Sequence, residues 1–117
     1  MKIAVVDDMK SRTIQISEAL EKAKHKVILC ASSNDFMSTI DEHAVQCLCL
    51  DYNTWHNGRA IYGYFKLHKK IENMPVVFYN APAHFSTLPN RAKHERDQFL
   101  PSPTDPKAIV DAVTLCM

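Results

Sequence analysis

Glycine is nearly missing from this chain: 117 residues contain two, Gly58 and Gly63. A phosphate-cradling P-loop and the Gly-rich dinucleotide fingerprint each need several closely spaced glycines, so nucleotide binding by those routes is excluded. Long apolar runs are missing too, and none approaches the ~20 residues that a membrane-spanning helix needs. No signal-peptide pattern precedes the first strand-like run, which Met1-Lys2 enters directly, so a cytoplasmic domain without membrane contact is expected. Charge is balanced. Fourteen Lys and Arg against thirteen Asp and Glu leave a net +1, and no global field favours nucleic acid. The four cysteines, Cys30, Cys47, Cys49 and Cys116, lie inside apolar runs, which suits reduced thiols and not a disulfide framework. Repeats, low-complexity runs and linkers are absent, and the length suits one domain over 1–117.

What is present begins with acids placed after apolar runs. Ile3-Ala4-Val5-Val6 leads into Asp7-Asp8, and Cys47-Leu48-Cys49-Leu50 leads into Asp51. Such runs read as strands buried on both faces. Acids at the carboxyl ends of two such strands fall in the crevice where open α/β sheets bind ligands. At about 4 Å and an effective dielectric of about 20, each pair of like charges repels by roughly 4 kcal/mol. A cluster of this kind persists when it holds a cation, usually a hard oxygen-seeking one such as Mg²⁺. The plain alternative for Asp7-Asp8 is a helix N-terminus, where acids suit the dipole.

Strand-like and helix-like stretches alternate along the chain. Strands are expected at Lys2–Val6, Lys26–Cys30, Val45–Leu50, Val76–Tyr79 and Gln98–Leu100. Helices are expected over Lys10–Lys24, with Ile16, Leu20 and Ala23 inward, and after a Ser32 or Ser33 cap, with Phe36, Met37, Ile40 and Ala44. A third carries Ile61, Phe65, His68 and Ile71. The last starts at a Thr104 or Asp105 cap with Pro106 in its first turn and Ile109, Val113 and Cys116 inward. Between Ala81 and Arg96, Pro82 and Pro89 leave room only for a short or displaced helix. Five βα units make an α/β domain, a doubly wound parallel sheet with helices on both faces.

The order of elements and the acids resemble the receiver domain of two-component response regulators over essentially the whole chain. Asp7-Asp8 is similar to that family's acidic pair, and Asp51 to its phosphoacceptor, with Gly58 in the following loop. The resemblance implies a flavodoxin-like (βα)5 fold with strand order 2-1-3-4-5. It implies a weak Mg²⁺ site from Asp7, Asp8, Asp51 and the Asn53 carbonyl, a switch aromatic at Phe99, and a cis Ser102-Pro103 bond. Departures stand beside these matches. Asn80 replaces the family's Thr or Ser, Ser102 replaces its Lys, and Thr54-Trp55 replaces Met-Pro. The metal-binding half of the site is kept and the phosphate-binding and switching half is substituted. Cations that could lean in are Lys10, Arg12 and Arg59.

The function implied is an atypical receiver in phosphorelay signalling, phosphorylated at Asp51 with a weakened or lost switch, and not an enzyme. Its partners would be a histidine kinase or other signalling protein, or a second copy across the fourth helix, fifth strand and fifth helix, but not nucleic acid. The competing reading is a phosphorylation-independent docking module on the same fold. A metal-dependent phosphatase ranks below both, because no nucleophile–acid pair stands out beyond Asp51. Other groups have plain readings. Cys47 and Cys49 with His43 could suggest zinc, but buried thiols on one strand face are common. Arg91, Lys93, His94 and Arg96 make either a solvated face or a docking patch. Trp55 packs under its loop or forms a contact.

Overall fold

The structure, a computed structural model, describes residues 1–30, 36–54, 60–63, 74–82 and 96–116. Five strands, Lys2–Val6 (β1), Lys26–Cys30 (β2), Cys47–Asp51 (β3), Val76–Ala81 (β4) and Gln98–Pro101 (β5), form one parallel sheet in the order β2-β1-β3-β4-β5. The doubly wound, flavodoxin-like topology expected from the sequence is therefore the one observed. β3 and β4 are buried at every position, as their unbroken apolar runs require, while β2 and β5 are edge strands with partly exposed residues.

Alternate side chains of the sheet feed two cores. On one face Ile3, Val5, Cys47, Cys49, Val77 and Tyr79 meet the helices Lys10–Lys22 (α1) and Pro106–Leu115 (α3) through Ile16, Leu20, Ile109 and Val113. On the other, Ala4, Val6, Leu48, Leu50, Val76 and Phe78 meet Ile40 of Phe36–His43 (α2), and Ile61 and Tyr62 of a helical run at 60–63. Truncating a fully buried Leu such as Leu48 or Leu50 to Ala would cost about 2–5 kcal/mol.

Boundaries differ from the sequence reading in instructive ways. α1 stops at Lys22, and Ala23, expected inward, is its exposed C-cap; Thr13 is buried instead. β3 begins at Cys47 and not at Val45, and β4 and β5 run on to Ala81 and Pro101. Scarce glycine shows in the turns. Left-handed backbone falls on Lys24 (φ 72), Ala44 (φ 51) and Asn80 (φ 55). Lys24 and Ala44 follow helix ends, where His25 and Val45 donate back to the carbonyls of Leu20 and Ile40. Ala44 is thus a terminator and not part of α2's face. At α3, Asp105 is the N-cap, accepting from the Ala108 N–H at 2.8 Å, with Pro106 beside it. The Ser102-Pro103 bond is cis, as expected. The Ser32 and Ser33 caps, Trp55, Gly58, Arg59, Phe65, His68, Ile71, Pro89, Arg91, Lys93 and His94 lie outside the described residues.

Candidate acidic site at the carboxyl edge of the sheet

Register builds the site. Val6 pairs with Leu50 across β1 and β3, so the next residues, Asp7 and Asp51, leave adjacent strand ends side by side. Asp51 in turn pairs with Tyr79 of β4, which brings Asn80 alongside. Ligand oxygens from Asp7, Asp8 and Asp51 lie within 4.8 Å of one another. This is the one grouping of metal-ligating side chains among the described residues, and Cys47, Cys49 and His43 form none. The hydrogen bond with Cys116 lowers the Cys47 thiol, but the one with Cys49 and then burial outweigh it and leave the thiol raised, which disfavours the thiolate that zinc needs.

Asp7 is the most heavily used of the three acids. Its Oδ1 accepts from the Met9 N–H and from Arg12 Nη2, both at 2.9 Å. Its Oδ2 accepts from Arg12 Nε and from the Tyr79 hydroxyl, both at 2.6 Å. The bond to Met9, the N-cap residue of α1, means that the helix-start reading of Asp7 holds alongside the site reading. Asp8 is exposed, and its N–H donates to Thr54 Oγ1 at 2.8 Å.

Asp51 has no solvent exposure. Its Oδ1 accepts from Asn80 Nδ2 at 3.1 Å. Its Oδ2 lies 3.0 Å from Arg12 Nη2, an ion pair without hydrogen-bond alignment. Burial pushes the Asp51 carboxyl above the usual range; Asn80's hydrogen bond lowers it, Asp7's charge raises it, and Arg12 and the Asn53 backbone lower it. The hydrogen bond to Asp7, more than the nearby charges, holds the Arg12 guanidinium even more firmly protonated than usual. Burial first, then Asp7, raises the Tyr79 phenol well above its ordinary value, so the hydroxyl stays a donor.

The Asn80 side of the site is a latch. Asn80 N–H donates to Thr104 Oγ1 and Thr104 N–H donates to Asn80 Oδ1, both at 2.9 Å. Thr104 Oγ1 donates in turn to the Pro101 carbonyl at 2.8 Å. The ends of β4 and β5 are thereby tied together beside Asp51. Ser102 stands on the exposed turn after β5, its N–H donating to the Ala81 carbonyl at 3.0 Å. Thr104, two residues further on, supplies the hydroxyl that reaches Asn80. Phe99 lies away from the acids, on the other face of the sheet, with ring centroids 5.7 Å from Tyr62 and 6.2 Å from Phe78. Arg96 of the expected basic patch donates from Nη1 to the Cys116 carbonyl at 2.8 Å, closing the end of α3.

A cleft of about 350 Å³ opens beside the acids, lined by Asp7, Asp8, Lys10, Thr13, Leu29 and Cys30 among others. The oxygen donors suit a hard divalent cation in kind. In the arrangement observed Arg12 already bridges two of them, Asp7 and Asp51. Sequence reasoning flagged Arg12 only as a neighbour and missed Tyr79, Thr54 and Thr104. Tyr79 carried a usable signal: a Tyr inside a fully buried strand must find a partner for its hydroxyl.

No protein-family model matches the sequence, and no curated protein matches it. Solved structures do match, and the fold they define is that of response-regulator receiver domains. Chemotaxis protein CheY4 of Vibrio cholerae superposes with a TM-score of 0.81 at 15% identity, covering 99% of this chain and 98% of that one. A response regulator from Thermotoga maritima gives 0.74 at 13% identity, over 97% and 93% of the two chains. DrrB, a Thermotoga maritima OmpR/PhoB homologue, gives 0.74 at 25% identity, over 97% of this chain and 50% of that chain.

Proposed function

We propose that this chain is an atypical receiver domain in two-component signal transduction, with Asp51 as phosphoacceptor and a weakened phosphorylation switch. The observation that carries the reading is the convergence of Asp7, Asp8 and Asp51 at the carboxyl edge of a β2-β1-β3-β4-β5 sheet. A histidine kinase or another signalling protein is the partner class, and a second copy of the chain is the other. Weak Mg²⁺ binding at Asp7, Asp8, Asp51 and the Asn53 carbonyl belongs to the same reading, as does the absence of enzymatic turnover.

A second reading, a phosphorylation-independent docking module, draws support from the state of Asp51. One oxygen is held by Asn80, the other faces Arg12, and the residue has no exposure. A phosphodonor reaches Oδ1 or Oδ2 only after one of these partners moves. Intact mass spectrometry after incubation with Mg²⁺ and acetyl phosphate separates the two. Slow, partial gain of one phosphoryl group, lost in Asp51→Asn, supports the receiver reading. No gain in the folded wild-type chain overturns it in favour of docking.

A further inference from the structure

We infer that Arg12 is the built-in cation of the acidic pocket, and that a divalent cation enters only by displacing its guanidinium from Asp7 and Asp51. The inference deepens the proposed function and rests on its reading of these acids as a cation site. Three geometric facts carry it. First, Arg12 contacts both strand-end acids at once, with Nε 2.6 Å from Asp7 Oδ2, Nη2 2.9 Å from Asp7 Oδ1 and Nη2 3.0 Å from Asp51 Oδ2. A planar fork of fixed charge spanning two carboxylates does what a bridging metal ion would do. Second, those carboxylates are fully buried while the Arg12 side chain keeps 23% of its exposure. The guanidinium therefore plugs the pocket from the solvent side, and it has somewhere to go when displaced. Third, Asp51 Oδ2 is buried, lies 3.0 Å from Arg12 Nη2 and has no aligned hydrogen-bond donor among the described residues. The plug neutralises this oxygen without satisfying it, which leaves an attraction for a better-placed cation.

Placement on α1 explains why the plug is available. Arg12 follows the first residue of the helix by two positions, and the helix start is itself tied to Asp7 through the Met9 N–H. Asp7 thus sets both the acid and the direction from which its counter-charge arrives. The Tyr79 hydroxyl takes a further site on Asp7 Oδ2, so Asp7 has little coordination capacity left while Arg12 is seated. Lysine at the same position could neutralise one acid as a point charge but lacks the fork that spans two.

The test is Mg²⁺ and Mn²⁺ titration of the full chain, read by calorimetry and by the rise in thermal midpoint that ligand binding to the folded state produces. Wild type, Arg12→Gln, Arg12→Lys and Arg12→Gln with Asp51→Asn are compared, with circular dichroism confirming that each folds. Arg12→Gln should bind at least about tenfold more tightly than wild type, about 1.4 kcal/mol. Arg12→Lys should fall between, and adding Asp51→Asn should abolish the gain. Should Arg12→Gln prove unfolded, Arg12→Lys alone still decides by binding more tightly or not. Equal affinities in wild type and the Arg12 variants overturn the inference. Cation binding is read directly, so a chain that accepts no phosphoryl group can still meet or fail this test.

Discussion

Replacing Tyr79 with Phe removes a single atom from the centre of the site. The ring is fully buried in the α1/α3 core and has no reason to move. What is lost is one 2.6 Å hydrogen bond from the phenol to Asp7 Oδ2. Asp7 keeps Arg12 and the Met9 N–H, so its carboxylate is weakened in support and not stranded. A hydrogen bond to a charged group contributes about 1.5–3 kcal/mol, and the lower half of that range applies because three other hydrogen bonds to Asp7 remain. With an unfolding entropy of about 2.1 cal/mol/K per residue, a loss of about 1.5–2 kcal/mol lowers the midpoint of this domain by about 6–8 °C. Thermal melts followed by circular dichroism measure it, with guanidinium unfolding as a check that the m-value is unchanged. The same Tyr79→Phe change in an Asp7→Asn background should cost less than half as much, since the charge that strengthens the bond is gone. A midpoint drop below about 2 °C, or an equal loss in both backgrounds, would refute the assignment of this bond to the site.

Asp97→Ala should cost about 3 kcal/mol, because Asp97 accepts from the Tyr62 hydroxyl and the Val76 N–H, both at 2.8 Å, and both donors would be left buried. Guanidinium unfolding checks it, and Asp97→Asn, which keeps one acceptor, should lose less. Acidification should also destabilise the fold through His25. Burial, and secondarily the N-terminal ammonium, lower the pKa of His25 below its ordinary value of 6.5. The unfolded chain then takes up a proton at higher pH than the folded one. Stability is fully present above about pH 7.5 and declines as pH falls through 6.5 toward the lowered folded value. His25→Gln should flatten that part of the stability–pH curve, and an unchanged slope would assign it to other groups.

Hydrophobic patterning made the sheet legible. Runs such as Ile3–Val6 and Cys47–Leu50 have no polar position to offer solvent, so both had to be central strands, and acids at their ends had to share an edge. The acid cluster was readable for that reason. Its partners were not. Tyr79 lies 72 residues from Asp7 and Thr54 lies 46 from Asp8, and no local pattern encodes pairings that the β1–β3–β4 register alone creates. Thr104 could be read as a helix cap, a role that Asp105 fills; its actual use, holding Asn80, depends on the β4 and β5 ends meeting. Helix ends were misjudged by one or two residues for a related cause. With so little glycine, stop signals fall on Lys24 and Ala44, residue types that otherwise extend helices.

The left-handed backbone at Asn80 makes that residue hard to replace. Asparagine tolerates such a φ better than other residues with a side chain, whereas a β-branched residue there is a steric outlier. Thr at position 80 would meet a penalty of roughly 1–2 kcal/mol from the backbone alone. It would also lose the carbonyl that accepts from the Thr104 N–H. Exchanging Asn80 for a hydroxyl residue therefore lowers stability until the loop itself is rebuilt. In design terms the β4 end is a keyed joint: the backbone turn at position 80 and the Thr104 N–H together select one side chain, and exchanging it for Thr breaks both.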